Sequence, residues 1–470
     1  MRLGGRFSLL AGGLAVLTAC AVGPNYQVPE INVGAEFQQL STKEGQPGWR
    51  PSQPKTVQKD WWRVFGDPQL GVWLEELEQN NARLEQAEAR YRMAQAALQG
   101  ARSGFWPQLG VHSSMQRSGD GMRSPTKQYN LNANVSWEVD VWGRVRQQVS
   151  SSQAQQQASA ADLEGVKLSL IATFLQTYFQ YQLNLQLLDL YERTLAIYEQ
   201  TLAITENRYA AGMVARSDVD SAIAQLENAR VQRQNALRQR AQLRHALAVL
   251  LGEAPGVRDF SAPLRDFHYP EPPHLLPSAL LERRPDIVAA ERRVAAANAE
   301  IGVAQTAWFP EFSFSVQGGY RSSSWADWIS TPARFWSLGP ALALSIFDGG
   351  ARRARVEQMQ AQYDETVAQY RETVLTALQE VEDLFADWFS SQKEVQSQER
   401  ALAAARNALR SMTAQYELGM VDYLSLAQVE TNTLHTEQAM LNLKNEQLLT
   451  AVRLFTALGG GWQAEASAAH

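Results

Sequence analysis

From Tyr129 to Val141 apolar residues occupy every odd position and polar residues every even one. That is the period-two signature of a strand with one apolar and one polar face. Phe312, Phe314, Val316 and Tyr320 alternate in the same way with Glu311, Ser313, Ser315, Gln317 and Arg321. Leu109, Val111 and Met115 give a weaker version, and Trp336, Leu338, Leu342, Leu344 and Ile346 a fourth, with small residues facing the other way. Each run is about ten residues, the length of a tilted strand crossing a bilayer. Phe105, Trp106, Trp137, Trp142, Trp308 and Phe309 cluster at one end of the runs, with Tyr129, Trp325 and Trp328 nearer the other. Two such bands are what a membrane strand presents to the two interfaces. Water-soluble hairpins packed on a core are the other way to use this pattern, but no amphipathic helix nearby is short enough to cover them conventionally.

The remainder of the pattern is helical. Residues 351–418 hold no Gly or Pro, and residues 144–211 hold no Pro and only Gly165. Ala, Gln, Leu and Glu, all good helix formers, dominate both stretches. Each predicts a helix about 100 Å long. Gly212 and Gly419 follow as C-caps, and return helices over 217–251 and 424–458 end at further glycines. Asp67-Pro68 predicts the start of another helix running to about Arg102, and Asp286 to about Thr306 one more.

These elements recur in order. Phe105-Trp106-Pro107 returns as Trp308-Phe309-Pro310, and Trp142-Gly143-Arg144 as Asp348-Gly349-Gly350. Tyr209-Ala-Ala-Gly-Met-Val214 returns as Tyr416-Glu-Leu-Gly-Met-Val421, and Leu250-Leu-Gly252 as Ala457-Leu-Gly459. A unit of about 200 residues has been duplicated and must pack against itself. In each copy one long helix runs down from the strands and two shorter helices climb back. The Pro-rich stretch and both termini are then expected around the middle of the rod.

The extreme N-terminus adds an address. Arg2 and Arg6 precede a short apolar run, Phe7 to Val16, which ends in Leu17-Thr18-Ala19-Cys20. This reads as a bacterial export signal rather than a span. Leu-Thr-Ala-Cys resembles the lipobox at which Cys20 becomes the acylated first residue of the mature chain. Cys20 is the sole cysteine, so no intrachain disulfide can form. The net charge of −6 gives no reason to expect nucleic acid as a partner. A mean hydropathy of −0.32 is too polar for a bundle of membrane helices. The six histidines (112, 245, 268, 274, 435, 470) make no zinc spacing, and Phe347-Asp-Gly-Gly350 reads as a strand-to-helix turn rather than a phosphate loop. The carboxylates lie on long polar helix faces. Neither an enzyme site nor a cofactor or metal site is expected.

Four membrane strands cannot close a barrel alone, because an open edge in lipid leaves backbone groups unpaired at several kcal/mol each. Other copies must complete it. Two copies give eight strands, which side chains would fill, and three give twelve, wide enough for a lumen. The expected fold is a membrane β-barrel continued by a long α-helical barrel, with four strands per chain, twelve in a trimer, and pseudo-repeated halves. The expected divisions are a signal peptide (1–19), a lipidated tether and equatorial segment (20–67), a periplasmic helix (68–104), an outer-membrane hairpin (105–142), a helical hairpin (143–251), a Pro-rich segment (252–285), a helix (286–307), a second strand hairpin (308–347), a second helical hairpin (348–458) and a tail (459–470).

This architecture resembles the TolC-like outer-membrane efflux proteins, in particular their lipoprotein branch. Cys20-Ala-Val-Gly-Pro-Asn-Tyr26, Trp61-Trp62 with Phe65, Asp67-Pro68 and Leu70, Leu281-Glu-Arg-Arg-Pro-Asp-Ile287 with Glu291, and Ala457-Leu-Gly-Gly-Gly-Trp462 carry the likeness over nearly the whole chain. The resemblance implies a homotrimer in the outer membrane, anchored in its lipid and serving as the exit duct of a tripartite efflux system. Its partners would be a periplasmic adaptor and an inner-membrane transporter, usually proton-driven. It also implies a periplasmic aperture at Leu424 and Gln428, beside the helix tips that turn at Gly212 and Gly419. Many relatives carry aspartate where Gln428 stands, so a charged ring does not carry over. Asp218 and Tyr416 match a carboxylate and a tyrosine that tie neighbouring tips together, although Asp218 also reads simply as a first-turn carboxylate favoured by the helix dipole. A protein-secretion duct is the alternative within transport, and a structural coiled-coil envelope protein the alternative outside it. Strict heptads would favour the latter, and the duplicated strand–helix unit speaks against it.

Overall fold

The computed structural model describes residues 22–34, 37–38, 60–119, 121, 124–257, 260–265, 267–270 and 277–462. In chain order the elements are α1 (Gln69–Asn80), α2 (Ala82–Arg102), β1 (Gln108–Ser118), β2 (Thr126–Glu138), α3 (Arg144–Ala210), α4 (Arg216–Leu250), α5 (Pro277–Arg283), α6 (Pro285–Thr306), β3 (Glu311–Ser322), β4 (Arg334–Ala343), α7 (Ala351–Glu417) and α8 (Tyr423–Ala457). The duplication is exact at the level of helix length: α3 and α7 have 67 residues each, and α4 and α8 have 35 each. The chain divides into two compact units.

The first unit comprises residues 1–31, 89–161 and 287–373, and it contains the sheet. Its four strands are antiparallel in the order β1-β2-β3-β4, so β2 of the first copy pairs with β3 of the second. Register decides the faces. Leu109 lies opposite Val135, Val135 opposite Val316, and Val316 opposite Leu338. One face therefore carries the apolar positions of all four strands as a continuous band. The other carries Asn134, Gln317 and Ser337 in line with Gly110, and Asn132 opposite His112. Val111, Met115, Trp336, Leu338 and Leu342 on the apolar face are each more than half exposed. Aromatics fasten both ends of the sheet. Trp142 stacks on Phe309 and donates to the Pro310 carbonyl at 2.8 Å, and Trp137 donates to the Phe105 carbonyl. At the loop end Tyr129, Trp325 and Trp328 pack together. Gly319 allows the closest backbone approach in the sheet: a Cβ there would lie 2.0 Å from the Leu131 carbonyl oxygen.

Equivalent carboxylates start the two long helices. Asp140 accepts from the backbone of Val145 and Arg146, and Asp348 from that of Gly350 and Arg352. Both satisfy amides that the first helical turn leaves unpaired. The Arg352 guanidinium and these amides hold the Asp348 carboxyl below its ordinary range.

The second unit comprises residues 32–88, 162–286 and 374–470. Its core gathers Phe37, Trp61 and Phe65 from the N-terminal segment, Phe260 and Ala262 from the Pro-rich stretch, and Phe455 and Leu458 from the end of α8, around Phe174, Tyr178 and Phe179 of α3. Trp61 stacks on Phe455, and Trp73 meets Phe260 at 4.9 Å. A polar knot lies inside this apolar cluster. The Tyr178 hydroxyl donates to Asp67 at 2.6 Å, Asp67 also accepts from the Gln69 amide, and Gln182 links Tyr178 to the Pro263 carbonyl. Burial and the Asp67 carboxylate push the Tyr178 hydroxyl far above its ordinary range.

The first climbing helix differs from the sequence expectation of one piece through Arg102. It breaks at Asn81, which is extended with ψ 118. The second copy breaks at the equivalent place, between α5 and α6. The reason is the same in both. Asn81 caps α2 through Arg83 and Leu84 and donates to the Leu250 carbonyl, at the end of α4. Arg284 donates to the Ala457 carbonyl, at the end of α8, and pairs with Asp286 and Glu380. Gly252 and Gly459 then press against the chain at Asn80 and Arg283, where an added Cβ would lie 2.2 Å from a carbonyl oxygen.

Candidate functional site

The helix tips are built alike. After α3, Gly212 is left-handed (φ 72), and the Met213 amide reaches back to the Arg208 carbonyl. After α7, Gly419 is left-handed (φ 75), and the Met420 amide reaches the Gln415 carbonyl. Both are Schellman closures, which need a residue that tolerates positive φ. Asp422 caps α8 by accepting from the Ser425 amide at 3.0 Å.

Leu424 and Gln428 lie one turn apart on α8 and are both exposed, Leu424 by 69%. The opposite side of the same turns is buried and carries Tyr423, Leu426, Glu430 and Thr433. The protomer thus spends one face of α8 on its own packing and leaves the Leu424–Gln428 face open. Tyr416 is buried and joins the two hairpins within one chain. Its hydroxyl meets the Thr205 hydroxyl at 2.7 Å, its carbonyl accepts from Arg208, and that guanidinium lies 4.3 Å from its ring centre. Asp218 sits half-buried in the first turn of α4 and does not bond to Tyr416. Its charge acts instead on Tyr423, whose hydroxyl burial and Glu430 push well above its ordinary range.

Sequence reasoning missed the centre of this contact. Glu430 is 4% exposed. It accepts from the Thr201 hydroxyl of α3 at 3.1 Å and from the Gln225 amide of α4 at 3.1 Å, while Gln225 accepts from the Tyr423 hydroxyl at 2.7 Å. One carboxyl on α8 therefore ties down both helices of the first hairpin. The signal was present in the sequence, since Glu430 falls at helical spacing with Leu426 and Thr433 on one side of α8. Burial pushes its carboxyl up to about 7, against the opposing pull of its two hydrogen bonds.

The chain's first described residues also have fixed seats. The Val22 amide donates to the Trp142 carbonyl at 3.1 Å, Asn298 donates to the Pro24 carbonyl, and the Tyr26 hydroxyl donates to buried Glu291. Cys20 lies outside the described residues, two positions before an anchor at the aromatic end of β2. Among the described residues no cluster of His, Cys, Asp and Glu could hold a metal.

Residues 73–253 and 276–460, most of the chain, match the family model described as outer membrane efflux protein. The chain belongs to this family. It is 31% identical to the probable efflux pump outer membrane protein TtgC of Pseudomonas putida, over 97% of this chain and 95% of that one. It is 28% identical to the cation efflux system protein CusC of Escherichia coli, over 95% and 97%. Among solved structures, the outer-membrane channel OprN superposes with a TM-score of 0.86 at 31% identity, covering 94% of this chain and all of that one. The CmeC channel of Campylobacter jejuni superposes at 0.88 with 22% identity, a likeness of fold. The protein is thus an outer-membrane efflux channel that combines membrane strands with long helices reaching into the periplasm.

The raised pKa of Glu430 predicts a pH response of the tip packing. Its folded pKa is raised, so its contribution to tip packing is fully present below the ordinary carboxyl value near 4.5 and is lost as pH rises to about 7. The loss is on the order of 3 kcal/mol. Hydrogen-exchange protection at the tips of the wild type, after correction for the intrinsic pH dependence of amide exchange, should fall across that window, whereas Glu430→Gln, which keeps a neutral group in place, should flatten the dependence. An unchanged slope in the variant would place the titrating group elsewhere.

Proposed function

We propose that three copies of this chain close into one twelve-stranded barrel that serves as the exit duct of a tripartite efflux system, handing cargo from a periplasmic adaptor and an inner-membrane transporter to the exterior. The observation that carries the reading is the sheet. It has a continuous apolar face, a continuous Asn-, Ser- and Gln-rich face, and two edges, β1 and β4, with no partner among the described residues. In lipid those edges must pair, and β4 of one protomer with β1 of the next is the pairing that continues the antiparallel order. The polar face then lines water.

The tips are the gated end. Three Leu424 side chains converging on the axis make a dewetting constriction, with Gln428 one turn further along as an uncharged second ring. The Tyr416–Thr205 and Glu430 ties hold each protomer's two hairpins together in the resting state, and Asp218 remains available to a neighbouring tip. Cys20 carries the lipid anchor. The seating of Val22 beside Trp142 supports this reading, because Val22, two positions after Cys20 in the sequence, bonds the carbonyl of a tryptophan in the aromatic band.

Three outcomes test the reading. Cysteine placed at position 135 should react with a lipid-soluble reagent and at position 134 with a water-soluble one, and an arginine at 135 should cost roughly 2–4 kcal/mol near the midplane; equal labelling of both faces would remove the strands from the membrane. In planar bilayers Leu424→Ala should raise single-channel conductance, and Asp218→Ala with Tyr416→Phe should raise the open probability. A leucine variant with wild-type conductance puts the constriction elsewhere. Cys20→Ser should abolish incorporation of labelled fatty acid, and retained label would refute the anchor.

A further inference from the structure

The apolar face of the sheet does not end in apolar residues. Along β1 it runs Leu109, Val111, Ser113, Met115 and then Arg117, and along β2 it runs back to Tyr129 and then Lys127. Arg117 and Lys127 are register partners directly across the β1–β2 ladder. On β4 the same face ends at Arg334, opposite Tyr320. All three cations are exposed, and none has an ion pair among the described residues. Asp327, the described acid of the β3–β4 loop, is paired with none of them. At the other end of the sheet three arginines are neutralised: Arg144 by Glu138, Arg146 by Asp140 and Arg352 by Asp348.

Two like charges directly opposite in an antiparallel pair bring their Cβ atoms to within about 5 Å and destabilise the hairpin. Thr126 and Ser118 next to them, which share a hydroxyl contact at 3.3 Å, show that neutral side chains fit this end of the ladder. The charged pair therefore calls for an anion. Its position says which. Arg117 and Lys127 lie one alternate residue beyond Met115 and Tyr129, about 7 Å along the strands. Tyr129 packs with Trp325 and Trp328 in the aromatic cluster at this end, as aromatics do at a membrane interface. Just beyond such a cluster stand the headgroups. A planar guanidinium and an ammonium side by side can each donate to one phosphate, at roughly twice the strength of neutral hydrogen bonds.

We propose that Arg117 and Lys127 form a binding site on the lipid-facing rim of the barrel for the phosphorylated sugar headgroup of the outer leaflet's glycolipid. The site rests on the reading that the apolar face meets lipid and that the strand loops face the exterior. That leaflet presents sugar-linked phosphates at high density, where the inner leaflet presents phosphodiesters. A glycolipid phosphate seated between Arg117 and Lys127 replaces a repulsion by two charge-assisted contacts and fastens the β1–β2 hairpin, which is an edge of the protomer's sheet.

The test uses the full-length trimer in vesicles and reads the temperature at which it dissociates. Phosphatidylethanolamine vesicles are compared with the same vesicles containing diphosphorylated lipid A, or phosphatidylglycerol at matched charge. Lipid A should raise the wild-type dissociation temperature more than phosphatidylglycerol does. Arg117→Gln/Lys127→Gln should lose most of that increment, yet in phosphatidylethanolamine alone it should be at least as stable as the wild type, because the like-charge contact is gone. Lys127→Arg, which keeps the charge, should retain the increment. A double variant that keeps the full lipid A response overturns the site, and an equal response to phosphatidylglycerol overturns the glycolipid as its ligand. Failure of the wild type to insert as a trimer in any vesicle would overturn the membrane reading itself, and the site with it.

Discussion

A backbone amide or carbonyl in hydrocarbon has no water to bond, and that constraint governs this protein. The chain supplies four strands in unbroken antiparallel order, so three ladders are satisfied internally and two edges are left over. The apolar band on one face demands lipid, and lipid forbids the open edges. Oligomeric closure is therefore part of the fold, since the strand pattern makes sense only in an assembly that pairs β1 with β4. The polar face becomes an aqueous wall as a by-product of the same alternation, because residues that do not meet lipid must meet the lumen.

The duplicated helices solve a second problem, the joining of helices of unequal length. Each copy has one 67-residue helix against a 35-residue return helix, and a further climbing helix must take over where the return ends. The two hand-over points use different side chains for one task. Asn81 in the first copy and Arg284 in the second each bond the last carbonyls of the returning helix and mark the break in the climbing one. Glycine at 252 and 459 lets the chain pass in contact with those breaks. The polar knot of Asp67, Tyr178 and Gln182 lies in the aromatic core of the same unit, where a buried polar network that is fully bonded specifies one packing rather than merely a compact one.

The tips depart from this symmetry. Both end in the same glycine closure, but only α8 carries a buried carboxyl, and only α7 carries the tyrosine that meets Thr205 and Arg208. The second hairpin meets the first through Tyr416 and Glu430, with Thr205, Arg208, Thr201 and Gln225 as their partners. Such asymmetry suits an element in which one hairpin moves relative to the other. A carboxyl whose charge is suppressed by burial makes the strength of the hold depend on protonation.

Much of this was legible in the chain alone. Strand alternation is a period-two signal that any one-sided sheet must show, and the Gly- and Pro-free runs could be little else than long helices, because local propensity acts without help from distant residues. The repeat then gave the order of elements. Other features depended on residues far apart in sequence. The break at Asn81 is invisible locally, since Asn is tolerated within a helix until a carbonyl 169 positions away is there to be bonded. Tyr416 could be singled out by resemblance, but its partners Thr205 and Arg208 lie about 210 residues upstream and are supplied only by packing. Glu430 reads as one more surface carboxylate among many until the first hairpin covers it. The apposition of Arg117 and Lys127 required the register of the hairpin, which a slip of one residue would have sent to opposite faces. Sequence determined the elements, their faces and their repetition, because these arise from neighbours along the chain. Tertiary structure decided the hand-overs, the ties between tips and the charged rim, because each is a meeting of groups that the chain brings together only when it is folded.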